Sequence, residues 1–179
     1  MRKYVFALML AAAAGSTLLI AALATAGSGS HSIKAHEGLI GYQEIPALST
    51  TGNGSFDANV SSDGSSFDWT LSYDALEGSV TQAHIHFGQR GVSGGISIWL
   101  CGTGTNPGPA GTQACPPSGT VSGTATAANV VGPTGQGIEP GAWEEILAAI
   151  RAGKAYANVH STKWPPGEIR GQLNDQNAK

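Results

Sequence analysis

Between residues 54 and 73 apolar and polar side chains alternate with a period of two. In "GSFDANV", Phe56, Ala58 and Val60 fall on one side and Ser55, Asp57 and Asn59 on the other. In "SFDWTLSY", Phe67, Trp69, Leu71 and Tyr73 oppose Asp68, Thr70 and Ser72. Such alternation predicts strands with one buried and one wet face, and Asp63-Gly64 between them predicts a hairpin turn. Further short runs predict strands at 39–43, 79–87, 96–100, 120–126, 155–160 and 168–173. About eight strands with Gly-, Pro- and Ser-rich turns argue for an all-β antiparallel sandwich or barrel. The period changes once. Trp143, Ile146, Leu147 and Ile150 recur at i, i+3, i+4 and i+7, predicting a single amphipathic helix in "AWEEILAAIRAG". Glu144 and Glu145 in its first turn and Arg151 in its last match the helix dipole, and Gly153 is the natural residue to end it. The helix is expected to cover the sandwich, with Trp143 in the core.

The N-terminus follows another pattern. Arg2 and Lys3 precede an apolar run from Tyr4 to Ala14, which resumes through Leu18, Leu19, Ile20 and Leu23 and ends at Ala24-Thr25-Ala26. This predicts a secretory signal peptide at 1–26, cleaved after Ala26. The apolar region is also long enough to act as an uncleaved anchor. On either reading the chain is exported, to a secreted or periplasmic location. A flexible mature N-terminus is expected at 27–36, a folded domain at 37–174 and a short tail at 175–179. Without Arg2 and Lys3, the nine basic residues become seven against twelve acidic ones, a formal charge of −5. The mature chain has no basic run, so nucleic acid and anionic membranes are poor partners, and no membrane contact is expected beyond the signal segment. Cys101 and Cys115 are the only cysteines. In an oxidising compartment such a pair predicts a disulfide, here closing the apolar-poor loop "GTGTNPGPAGTQA".

The chain has five histidines, and two of them stand one residue apart in "AHIHFG". In a strand, His84 and His86 share one face and Ala83, Ile85 and Phe87 the other. If the apolar set faces the core, both imidazoles project outward. In "AYANVHS", Ala157 and Val159 would face inward and Tyr156, Asn158 and His160 outward. Should the two strands be neighbours, three imidazoles converge. That set suits copper, zinc, iron or nickel and leaves room for water or substrate. The competing reading is a scaffold in which the histidines hydrogen-bond loop backbone. His31 and His36, in the mature N-terminus, carry little weight. Ser161 follows His160 directly, so their side chains take opposite faces, which argues against a hydrolase pair. There is no nucleophile–base arrangement and no phosphate-binding loop, and catalytic residues stay unassigned.

The segments "LIGYQEIP", "AHIHFGQRGVSGGISIWL", "GTVSGTA", the helix and "GKAYANVHSTKWPPGEIRGQL" occur in the order seen in the CHRD (chordin) domain, and the chain is identified as a member of that family. The resemblance covers residues 36–174 and implies, mostly at the level of architecture, an immunoglobulin-like all-β domain. The chain shows none of the further modules that accompany these domains in chordin, so growth-factor binding is not carried over. A second, local resemblance is to the copper-binding H-V-H strand of the Cu,Zn superoxide dismutases, which also take a late ligand from a V-V-H strand. It implies a superoxide-dismutase-like Greek-key sandwich with His84, His86 and His160 as ligands of one copper ion on the outside of the barrel, zinc being second choice. Arg170 would then be a counterpart of the arginine that guides superoxide. The bridging histidine and the zinc loop of those enzymes have no counterpart here.

Glu168 and Arg170 fall on one side of the last strand. Either they pair across strands or anchor the loop "STKWPPG", or Glu168 orients an imidazole N–H as supporting carboxylate. Glu44 is either a buried hydrogen-bonding carboxyl or an acid of the site, and Asn158 shares the histidine face. The resulting expectation is an exported CHRD binding module with a surface three-histidine copper site, acting on an extracellular protein or other ligand. Its alternatives are a superoxide-dismutase-like redox enzyme using the same site, and a structural or adhesive extracellular domain without metal.

Overall fold

The structure, a computed structural model, describes residues 31–35 and 37–175. The expected signal segment, His36 and residues 176–179 lie outside the described residues. The elements in order are β1 (His31–Ala35), β2 (Leu39–Ile40), β3 (Asn53–Val60), β4 (Ser66–Asp74), β5 (Val80–Phe87), β6 (Gly95–Gly102), β7 (Gly119–Thr126), α1 (Trp143–Arg151), β8 (Ala155–Ser161) and β9 (Ile169–Asp175). The strands form one sheet in the order β6-β5-β8-β9-β1-β3-β4-β7, with β2 also lying between β3 and β9. Every pairing is antiparallel. The two ends of this order meet: Gln113 donates from Nε2 to the carbonyls of Leu100 on β6 and Ser122 beside it on β7, and Ile98 bridges Val130. The sheet thus folds over on itself as an all-β sandwich.

The alternating strands behave as their pattern dictates. Phe56, Ala58, Val60, Phe67, Trp69, Leu71 and Tyr73 are all buried in one core, while Asn59, Asp68 and Thr70 are exposed. At the β3–β4 turn the Asp63 carboxylate accepts from the Ser61 and Ser65 hydroxyls and the Ser65 N–H, and Gly64 takes a left-handed φ of 74°. Helix α1 buries Trp143, Ile146, Leu147 and Ile150. Trp143 packs on Phe67 and donates from its indole nitrogen to the Gly64 carbonyl, 2.6 Å away. Gly153, at φ 65°, ends the helix as expected: its N–H reaches the Ile150 carbonyl and the Lys154 N–H the Ala149 carbonyl. Those two bonds are the Schellman closure, and they deliver the chain directly into β8. Among the described residues no helix is long and apolar enough to cross a membrane.

Three boundaries differ from the sequence expectation. Residues 31–35, expected to be flexible, are a strand because Ile33 enters the core and pairs with Ala58 on one side and Asp175 on the other. Asp175, expected in the tail, accordingly ends β9. Only Leu39–Ile40 of the expected 39–43 strand pairs. At Gly41 the chain turns so close to the Leu48 carbonyl that a Cβ there would lie 2.7 Å from the oxygen, and Gly41–Gln43 becomes a single 3₁₀ turn.

Cys101 and Cys115 are bonded across a sequence separation of 14. A loop of that length, tethered at both ends, loses chain entropy in the unfolded state worth about 3 kcal/mol. Replacing both cysteines with alanine is therefore expected to lower the unfolding free energy by about 3 kcal/mol, read as a drop in the urea midpoint. An unchanged midpoint would show that the loop holds itself in place without the bond.

Candidate metal centre

Strands β5 and β8 are neighbours, with His84 opposite Asn158, His86 opposite Tyr156 and Gln82 opposite His160. Period two then puts His84, His86 and His160 on one face, the side of the sheet away from Ala83, Ile85, Ala157 and Val159 in the core. On its other side β5 pairs with β6 through register shifts between Ala83 and His84 and between Ile85 and His86. Each shift leaves one extra residue on β6, Leu100 and Ser97 respectively, so β6 is the strand that bends while β5 keeps its period. The imidazole centroids are 5.2 Å apart for His84–His86, 5.0 Å for His84–His160 and 5.8 Å for His86–His160. One nitrogen from each ring lies within 4.8 Å of the other two.

Two of the rings have their tautomer fixed by main chain. His86 Nδ1 lies 3.0 Å from the Gly94 carbonyl and His160 Nδ1 lies 2.9 Å from the Pro165 carbonyl. A carbonyl only accepts, so each Nδ1 carries the proton and each Nε2 keeps a bare lone pair. His84 Nδ1 sits 3.2 Å from His160 Nε2. Because His160 Nε2 carries no proton, His84 Nδ1–H donates to it, at a spacing just under the roughly 3.3–3.5 Å of two nitrogens bound to one ion at about 2.0–2.1 Å. The Nε2 atoms of His84 and His86 are buried and without a partner.

The expected surface position is corrected by the structure. His84 is 0%, His86 7% and His160 5% exposed, because three segments fold across the outer face. The β5–β6 loop is pinned by Arg170, which donates from Nη1 to the Val92 carbonyl and from Nη2 to the Gln89 carbonyl. Tyr156 accepts from the Gly94 N–H of the same loop, and Gln172 donates to the Gly88 carbonyl. The β8–β9 loop brings Pro165, and the segment after β2 brings Glu44 against Asn158. Trp99 closes the side with its ring at 81° to His84 and 4.2 Å away, and Tyr156 stacks flat on His86 at 4.8 Å. Burial pushes His84 down to about 2, helped by its two histidine neighbours. It pushes His86 down to about 4 and lowers His160, in each case against the pull of the carbonyl bond. All three imidazoles are neutral at pH 7, the form that binds metal.

The supporting residues divide. Asn158 donates to Glu44 Oε1 and to the Ile169 carbonyl. Burial, opposed by Asn158 and Arg170, pushes the Glu44 carboxyl up to about 7. Glu168 is fully buried, but its Oε1 accepts from the Thr50 hydroxyl and the Glu77 N–H rather than from an imidazole. The orienting acceptors are instead the carbonyls of Gly94 and Pro165, which side-chain patterns do not reveal. At Gly94 a Cβ would lie 1.7 Å from the Phe87 oxygen, so only glycine brings that carbonyl to His86. Arg170 is 2% exposed, and its guanidinium lies 3.4 Å over the Tyr156 ring. It is committed to the loop rather than presented to solvent.

A folded histidine that resists protonation gives stability that is complete above its unfolded value of 6.5 and is lost as pH falls below it. His86 loses this contribution down to about 4. Glu44 acts in the opposite sense between about 7 and its ordinary 4.5, gaining stability as pH falls. Each group changes stability by up to about 1.4 kcal/mol per pH unit, so three histidines outweigh one carboxyl. The metal-free protein is expected to lose on the order of 2 kcal/mol between pH 7.5 and 5.5, measured by urea unfolding. Equal stability at the two pH values would contradict three buried neutral imidazoles.

The CHRD domain model matches residues 37–173, nearly all of the described chain. A search among curated proteins and one among solved structures each returned no match. The chain belongs to the CHRD domain family.

Proposed function

We propose that this chain is an exported CHRD-domain binding module whose His84, His86 and His160 together hold one copper ion. The observation that carries the reading is the pair of main-chain bonds from His86 and His160. They leave two unprotonated Nε2 atoms turned into a shared buried space, that of His86 without a partner and that of His160 accepting from His84 Nδ1. A scaffold histidine uses both its nitrogens, whereas the buried Nε2 of His86 uses none of its capacity. Three imidazoles suit copper and zinc alike; copper is preferred on the likeness of the H-x-H strand and the late histidine to the copper-binding strands of the Cu,Zn superoxide dismutases. When bound, copper supplies a one-electron couple. The protein's part is to hold the three rings, fix two tautomers and keep water out. Export is supported by the signal-like N-terminus and by the Cys101–Cys115 disulfide, which suits an oxidising compartment. The partner we infer is an extracellular protein or other ligand; the acidic mature chain does not favour nucleic acid.

A superoxide-dismutase-like enzyme using the same three ligands is the second reading, favoured by the H-x-H strand beside the late histidine. Turnover needs an open coordination position and a route for the anion. The shielded Nε2 atoms and the commitment of Arg170 to loop carbonyls weigh against both. A structural or adhesive domain without metal is the third.

The secreted protein, purified without a histidine tag, is expected to contain close to one copper per chain by mass spectrometry. His84→Ala and His160→Ala should each weaken copper binding at least tenfold. Folded wild type that retains no metal and takes up none would leave the scaffold reading in place of both metal readings.

A further inference from the structure

We propose that the three-histidine pocket is built for copper in its cuprous state, and that it discriminates against Cu(II) and Zn(II) by offering only three neutral donors, no water and a buried positive charge. The inference rests on the copper-site reading above and specifies the ion that site selects.

The donor count comes first. Among the described residues, His84, His86 and His160 are the group with ligand atoms mutually in reach. No anionic group completes it. Glu44 is bonded to Asn158; Glu168 bonds Thr50 and the Glu77 N–H through Oε1, and its unpartnered Oε2 is not among the ligand atoms mutually in reach; both cysteines are used in the disulfide. Zinc takes four ligands, and where a protein supplies three, water supplies the fourth. Cu(II) prefers a tetragonal set of at least four. Cu(I), a filled-shell monovalent ion, is satisfied by two or three ligands.

Water has no approach here. The Nε2 atoms of His84 and His86 are closed off from solvent. Trp99 stands edge-on against one ring and Tyr156 lies flat on the other. Gly108 of the disulfide loop seals the Trp99 side, where a Cβ would come within 2.6 Å of the indole. The idealised cost of moving an ion into such a dry medium grows with the square of its charge. A divalent ion with three neutral ligands therefore pays about four times what a monovalent one does.

Arg170 adds a second electrostatic bias in the same direction. Strand order puts β5 on one side of β8 and β9 on the other. The Tyr156 ring thus stands between the His86 imidazole from β5 and the Arg170 guanidinium from β9. Arg170 makes its hydrogen bonds to the neutral oxygens of Gln89, Val92 and Gln172 rather than to a carboxylate. Glu44 acts on its charge, but burial pushes that carboxyl up to about 7, so it neutralises the arginine only in part. Repulsion from Arg170 scales with the charge of the bound ion and is twice as large for a divalent one.

The test titrates the secreted metal-free protein at pH 7.5 with Cu(I), under anaerobic conditions against a chromophoric cuprous chelator, and separately with Cu(II) and Zn(II). One Cu(I) per chain is expected, bound at least a hundredfold more tightly than either divalent ion, with an X-ray absorption edge of three-coordinate nitrogen ligation. Arg170→Gln should reduce the Cu(I)-to-Zn(II) affinity ratio at least tenfold and Arg170→Lys should restore most of it, a charge effect that loss of packing would not reproduce. Cu(II) or Zn(II) binding as tightly as Cu(I), with a tetragonal Cu(II) electron-spin-resonance signal, would overturn the cuprous assignment while leaving the histidine site standing. Failure of folded wild type to bind any of the three ions would instead remove the site itself. An unchanged ratio in a folded Arg170→Gln protein would overturn the role given to the arginine.

Discussion

Arg170 reaches from β9 past the Tyr156 ring to the carbonyls of Gln89 and Val92, and the character of the outer face follows from that reach. A guanidinium removed from water is costly unless its donors are satisfied. Here the neutral carbonyls of one loop do much of that, so the cost of burying the charge is offset only while the loop lies down. With the loop down, Gly94 comes within reach of both Tyr156 and His86, the His86 tautomer is set, and the three rings lose contact with solvent. Desolvation then keeps them neutral. The His86 lone pair is thus a consequence of one pinned loop, while neutrality and dryness need the β8–β9 loop, the segment after β2 and Trp99 as well.

Much of the fold was legible because its information is local. The alternation in β3 and β4, the 3.6-residue stripe of α1, Gly153 at the helix end and the Cys101–Cys115 pair each declare themselves within a short window, and the structure agrees with each. The common face of His84, His86 and His160 was also legible, since period two fixes facing without any knowledge of neighbours. Burial was not. The same rule assigns the second face to water by default, but β5 and β8 lie mid-sheet and both of their faces are covered. Covering depends on loops returning from elsewhere, and nothing in "AHIHFG" records it. The carbonyl acceptors escaped notice for a related reason: every residue has one, so only the fold distinguishes those of Gly94 and Pro165. Strand β1 was missed because "HSIKA" contributes one fully buried side chain, Ile33, too little for a pattern.

The family model and the local geometry answer different questions. The family model shows membership in the CHRD family over residues 37–173, and membership alone does not assign chemistry. The chemistry here resides in a polar layer laid on the outside of two strands: three imidazoles, Tyr156, Asn158, Arg170 and Gln172, roofed by loops. Glu168 belongs to the same layer but serves it structurally, tying Thr50 and the backbone of Glu77 to the β8–β9 hairpin.

Strand β1 lies between β3 and β9, pairing Ile33 with both Ala58 and Asp175. The earliest and latest strands of the described chain are therefore direct neighbours in the middle of the sheet. Contacts so distant in sequence form late, after their loop-closure entropy has been met. Until the last strand is available, β1 has only one partner and the sheet stays open at its centre. Topology by itself therefore delays completion of this sheet until the C-terminal strand is available, wherever the chain folds.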